Sequence, residues 1–215
     1  MSIWFGSGRR AAIASASLLA LAACSGGGGD GSTSGGGASG GGGSTPNTPA
    51  SLAPTDQASA STFLSRASFG GSSSETSAAI GQEPSDWVAS QFNISPTLYL
   101  ADLLVREQSG EDLDRRAQTY EFWDAMITAN DELRQRMVFA LSQIIVVSDS
   151  SGEALETAYF MDVLSRNAFG NYRQLLQDVT YSPLMAEYLT YLRNRKGNPN
   201  TGRMPDENYA RELLQ

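Results

Sequence analysis

The densest cluster of side chains able to do chemistry lies near the end of the chain: Asp206, Glu207, Asn208, Arg211 and Glu212. Asn208 and Glu212 are four residues apart. On a helix that spacing puts both on one face, where they can bind a hard cation or do acid/base work. The same residues have an ordinary structural use, and it is the stronger reading. Pro205 suits a first helical position, acids in a first turn favour the helix dipole, and Glu207 with Arg211 makes an i,i+4 ion pair. A second cluster, Arg193, Arg195, Lys196 and Arg203, occupies a polar loop over 193–204. It can bind a phosphate or sulfate group or an acidic partner, although most such loops are simply solvated. Neither cluster points to a cofactor or assigns a metal.

The residues that are missing exclude more. The 215-residue chain has no His and a single Cys. It therefore carries no Ser-His-Asp triad, no Cys-His pair, no imidazole metal ligand, no internal disulfide framework and no thiolate zinc site. A net charge of −8 argues against nucleic acid as a partner, because a duplex binder needs a basic face for phosphates. The string Gly37-Ala38-Ser39-Gly40-Gly41 spells a nucleophile elbow but lacks the strand before it and the helix after it. No Gly-Lys-Ser/Thr ending supports a phosphate-cradling loop.

The single Cys has a specific place. Residues 1–23 read as a signal peptide, with Arg9 and Arg10 closing a basic start and a modest apolar stretch over 11–20. Leu21-Ala22-Ala23-Cys24 then resembles the bacterial lipobox, in which the chain is cut before the Cys and the Cys is acylated. The competing reading is a plain secretory signal with a chance Cys. An acyl chain contributes roughly 0.8 kcal/mol per buried methylene, so a multiply acylated Cys24 anchors the protein to a membrane without a transmembrane helix. Ser25 stands where an Asp commonly retains lipoproteins in the inner membrane, so the outer membrane is favoured. The run from Ser7 to Ile13 partly matches a twin-arginine signal, which leaves the export route open.

Twelve of the 22 glycines fall between Gly26 and Gly43. Residues 24–55 are dominated by Gly, Ser, Thr and Pro, and cannot bury enough surface to offset chain entropy. They are expected to form a disordered tether with an r.m.s. span of roughly 30 Å. Residues 56–215 read as an all-α, multi-helix globular domain of seven or eight helices. Expected helices cover 58–66, a segment opening at Pro84, 112–129, 131–148 and 153–169. Others follow from Asn171, Ser182 and Pro205. The 112–129 helix should bury Leu113, Ala117, Tyr120, Trp123 and Ile127. The 131–148 helix should be the most buried, with a strand over 144–147 as the alternative. Gly170 suits an αL cap, and Asn171 with Gln174 a capping box.

Arg134 and Arg136 open the 131–148 helix, and one of them should face inward to an acid such as Asp124 or Asp162. Trp87, Trp123 and the tyrosines at 120, 159, 172 and 188 are better explained by core packing than as a carbohydrate platform. The final helix lacks a stop signal. Its Tyr209, Leu213 and Leu214 call for a later core partner, so the chain is expected to be truncated at its C-terminus.

Four stretches together resemble one family: Phe63-Leu64-Ser65-Arg66-Ala67-Ser68-Phe69-Gly70, the run from Leu133 to Gln143, Asn167-Ala168-Phe169-Gly170-Asn171-Tyr172-Arg173, and the run from Pro205 to Leu213. In this order they are similar to the amino-terminal portion of the bacterial family known as domain of unknown function 1800. The resemblance runs from about residue 58 to the end. It implies export, relatives of greater length, and a possible partner from the exported, phosphatase- and sulfatase-like family known as domain of unknown function 1501. It implies no activity. The sequence therefore leads to a lipid-anchored cell-envelope protein serving binding or assembly. The alternative is an envelope hydrolase whose catalytic residues lie largely beyond residue 215.

Overall fold

The structure, a computed structural model, describes residues 50–148 and 153–214. The leader, Cys24 and nearly all of the tether lie outside the described residues. Among the described residues there are ten α-helices and no β-strand. They are α1 (Gln57–Ala67), α2 (Ser73–Ala79), α3 (Pro84–Phe92), α4 (Leu100–Gln108), α5 (Ala117–Thr128), α6 (Glu132–Ser142), α7 (Ala154–Asn167), α8 (Tyr172–Thr180), α9 (Pro183–Tyr188) and α10 (Asn208–Glu212). None is long and apolar enough to cross a membrane.

Helix α7 is the hub. Ala158, Met161 and Leu164 recur at helical spacing and are buried, and so are Thr157, Phe160, Asp162, Val163 and Ser165. Helices α4, α5, α6, α8 and α9 pack around it. A smaller layer forms from α1, α2 and α3. There Ala60, Leu64, Ala79 and Trp87 make their own cluster, with Phe63 edge-on to Trp87 at 5.3 Å. Leu133 of α6 packs against that cluster and links the two layers. The α1–α2 turn needs two glycines. Gly70 takes φ +107°, and a Cβ on Gly71 would lie 2.6 Å from Leu64 Cδ1.

Local signals place most of the helix starts. Pro84 and Pro183 occupy first-turn positions, and the Asn171 side chain caps α8 by accepting from Arg173 N at 2.9 Å. Gln174 does not complete a box there; its amide bonds Asp178 Oδ1 instead, at 2.7 Å. Reciprocal capping boxes open α1 (Asp56 with Ser59), α2 (Ser72 with Glu75) and α7 (Glu153 with Glu156).

Several expectations are corrected. Helices α2 and α4 were not anticipated. Helix α5 starts five residues later than expected and buries only part of the expected set: Ala117 is buried and Leu113 packs against the core, but Tyr120, Trp123 and Ile127 are 61%, 55% and 80% exposed, and Ala125 is buried instead. Phe122, in ring contact with Tyr99 and Phe139, turns to the core alongside these alanines. Helix α6 is less buried than α7 and ends at Ser142. Residues 144–147 leave it as irregular chain, neither helix nor strand, with Ile145 buried and Ile144 and Val146 exposed. Gly170 is not a left-handed cap; α7 closes on Ala168 in the right-handed region.

Of the two arginines, Arg134 faces inward, but its acid is Asp131, with Nε 3.6 Å from Oδ2. Its Nη1 donates to Ser165 O at 2.8 Å, and its guanidinium lies 4.4 Å from the centre of the Phe169 ring. Burial lowers its pKa, with Asp131 pulling the other way. Asp131 is fully buried and does more than pair. It accepts from Thr97 N at 2.8 Å, Thr97 Oγ1 at 2.7 Å and Gln135 Nε2 at 3.1 Å. The Tyr99 hydroxyl donates to Gln135 Oε1. Asp162, equally enclosed, accepts from Tyr99 N at 2.7 Å and meets Arg166 at 3.3 Å. Burial raises the pKa of Asp162 against those partners, and burial beside both carboxylates raises that of Tyr99.

Removing one member of such a buried pair leaves the others unsatisfied, at a cost of about 3–5 kcal/mol. Asp131→Ala is therefore expected to lower the urea-unfolding free energy by that amount. Trp123→Ser, on the exposed face of α5, should change it by under about 0.5 kcal/mol.

Candidate functional site

Helices α8, α9 and α10 meet the irregular segment after α6 around a cleft of about 400 Å³. Its walls are mostly apolar: Ile144 and Ile145, Leu176 and Val179 of α8, Met185 and Leu189 of α9, and Leu213. Tyr172, Tyr188 and Tyr209 add aromatic edges, and among the described residues Glu212 supplies the one carboxylate lining it. Helix α10 is held over this cleft through aromatic contacts. The Tyr209 and Tyr191 rings lie 4.4 Å apart, Tyr209 shares a hydrogen bond with the Thr180 hydroxyl, and Tyr191 OH donates to Thr180 O at 2.6 Å. Burial, and then the neighbouring Tyr209, push the Tyr191 phenol up to about 12.

The five-residue polar cluster does not converge. Asp206 Oδ2 accepts from Thr190 Oγ1 at 2.6 Å and Oδ1 accepts from Asn208 N at 2.9 Å, and these bonds lower its pKa. Asn208 spends its amide on Thr190 Oγ1 at 3.0 Å. Glu207 and Arg211 pair at 2.6 Å on the surface, as their spacing suggested. Of the five, only Glu212 lines the cleft; Asn208, four residues before it on α10, has its side-chain amide turned to Thr190. Pro205 is not the first helical residue either, since α10 begins at Asn208 after the Asp206 clasp. Among the described residues no group of three or more His, Cys, Asp or Glu is placed to hold a metal ion.

The four basic residues of the loop are exposed. Arg203 turns back to donate to Lys196 O at 3.0 and 3.2 Å, while Arg193, at φ +66°, Arg195 and Lys196 point to solvent. Of the aromatic residues assigned to core packing, Trp87 is buried and Tyr188 half-buried, but Tyr120, Trp123, Tyr159 and Tyr172 are exposed. The cleft itself was not foreseen. Leu176 and Val179 of α8 carry only the ordinary apolar spacing of a core face, and Tyr209 sits within the polar cluster, so nothing local marks a cleft.

With the geometry in hand, comparison with known proteins settles the ancestry. Residues 62–215 match the model of a family described as protein of unknown function, DUF1800. The chain belongs to that family. No curated protein and no solved structure matches it. The DUF1800 match spans α2 to α10 and most of α1, so the cleft, the polar clasp and the basic loop all fall within the family's domain.

The aromatic contact and hydrogen bond of Tyr209 contribute about 1 kcal/mol each. Tyr209→Ala should release α10 and raise its open population by about tenfold or more. In limited proteolysis with trypsin, cutting after Arg211 should accelerate by that factor, while sites in α7 stay protected.

Proposed function

We propose that the chain is an exported, lipid-anchored protein of the cell envelope whose DUF1800 domain serves as a binding or assembly module. The observation that carries the binding role is the cleft under α10. Apolar and aromatic walls with the Glu212 carboxylate among them suit it to receive an apolar or aromatic group from a partner, oriented by a polar contact. Support for the address comes from Leu21-Ala22-Ala23-Cys24 and from the absence of any second Cys to compete for that role. Ser25 favours the outer membrane. An exported, phosphatase-like protein of the DUF1501 kind is the partner class proposed.

Glu212 is the observation in favour of a second reading, an envelope hydrolase, because a carboxylate lining an apolar cleft is a plausible general acid or base. Glu212→Ala separates the two. Loss of turnover with the partner complex intact supports the hydrolase, and loss of the complex supports the binding module.

Growth with a palmitate analogue tests the anchor. The wild-type chain should be labelled and stay with membranes through a high-salt wash, and Cys24→Ser should be unlabelled. A labelled Cys24→Ser chain, or an unlabelled wild type retaining its leader, would refute the lipoprotein assignment.

A further inference from the structure

The loop joining α9 to α10 is built as a closed, two-legged arm. At its base, Asn194 Nδ2 donates to Asp206 O at 2.7 Å and Asp206 N donates back to Asn194 Oδ1 at 3.0 Å. Nearer the tip, Asn198 N donates to Arg203 O at 2.9 Å and Arg203 N to Asn198 O at 3.2 Å. The legs pack so closely at Gly197 that a Cβ there would lie 3.4 Å from both Arg203 O and Pro205 Cδ. These cross-links use amides, carbonyls and side-chain amide groups, and none neutralises a positive charge.

The arm therefore presents a fixed charge. Residues 193–205 hold four basic side chains, including the only Lys of the chain, and no acid, within a protein of net charge −8. No ion pair engages Arg193, Arg195 or Lys196 among the described residues. The nearest acids along the chain are occupied: Asp206 by Thr190 and Asn208, Glu207 by Arg211. Two large apolar side chains stand in water beside these cations, Leu192 at 54% exposure and Met204 at 82%.

Cations flanked by exposed apolar side chains match the two demands of a bilayer interface. Positive charge meets anionic headgroups, and apolar groups enter the acyl boundary. An acidic protein surface would satisfy the charges but gives no reason for Leu192 and Met204 to stand in water at the same arm. We propose that the 192–204 arm seats the domain on a bilayer surface bearing anionic lipid. Arg193, Arg195 and Lys196 sit among the headgroups, and Leu192 and Met204 sit at the interface. The contact does not depend on acylation of Cys24 and goes beyond the anchor.

The full chain carrying Cys24→Ser, which cannot be acylated, is sedimented with phosphatidylcholine vesicles with and without phosphatidylglycerol. It should partition onto the anionic vesicles, and salt should weaken the binding. The triple variant Arg193→Gln, Arg195→Gln, Lys196→Gln should lose about fivefold per basic side chain, or about a hundredfold, while its circular dichroism is unchanged. Leu192→Ser with Met204→Ser should weaken binding to the same vesicles while preserving the response to salt. Equal binding to both vesicle types, or a triple variant that binds like its parent, would overturn the proposal. So would capture by polyglutamate with no vesicle binding, which would assign the arm to an acidic polypeptide.

Discussion

Two enclosed carboxylates hold non-helical backbone inside a helical protein. The segment carrying Thr97 and Tyr99 runs between α3 and α4 into the space between α6 and α7, where its amides have no helical partners. Asp131 receives the amide and hydroxyl of Thr97, and Asp162 receives the amide of Tyr99. Ser165 closes the set by donating to Thr97 O at 3.0 Å. A buried amide left without an acceptor costs about 1–3 kcal/mol, so this set decides whether the crossing exists at all. Once it is made, Tyr99 is packed in the core, α4 is delivered to its place on α7, and Arg134 is drawn inward to balance Asp131. The larger core then closes around α7, with the cleft and the basic arm at one end of the helix order.

This network also shows why part of the fold was readable in sequence and part was not. Prolines 84 and 183 mark helix starts by local chemistry, and Ala158, Met161 and Leu164 mark a buried face by period. Both signals survive folding because they depend on neighbours within a few residues. The orientation of α5 does not. Tyr120, Trp123 and Ile127 face solvent because Ala117, Phe122 and Ala125 are the residues that meet the core, a choice set by the partner surface. The rank of α6 was misread for a related reason. Its inward residues include Arg134 and Gln135, which hydropathy scores as surface but which are buried by partners more than thirty residues away. Helix α2 was legible and missed, since Ser72 and Glu75 spell a capping box. For α4, Leu100, Leu103 and Leu104 gave a helical spacing, but no cap marks its start.

The candidate site divides in the same way. The Glu207–Arg211 pair follows from spacing alone. The place of Asn208 outside the cleft does not, because its side-chain amide is held by Thr190, eighteen residues away. Glu212 is left as a lone carboxylate against apolar walls, in a DUF1800 domain whose strongest local charge lies on the neighbouring arm. Recognition by shape and apolar contact fits that arrangement better than chemistry needing several converging groups.

Native-state hydrogen exchange at Thr97 and Tyr99 tests the role of the buried carboxylates most directly. If Asp131 and Asp162 bind this crossing into the core, both amides exchange only through global unfolding, with the same free energy and denaturant dependence as the central amides of α7. Exchange as fast as that of the exposed 193–204 loop would contradict the account, because the crossing would then open while the helices around it stayed folded.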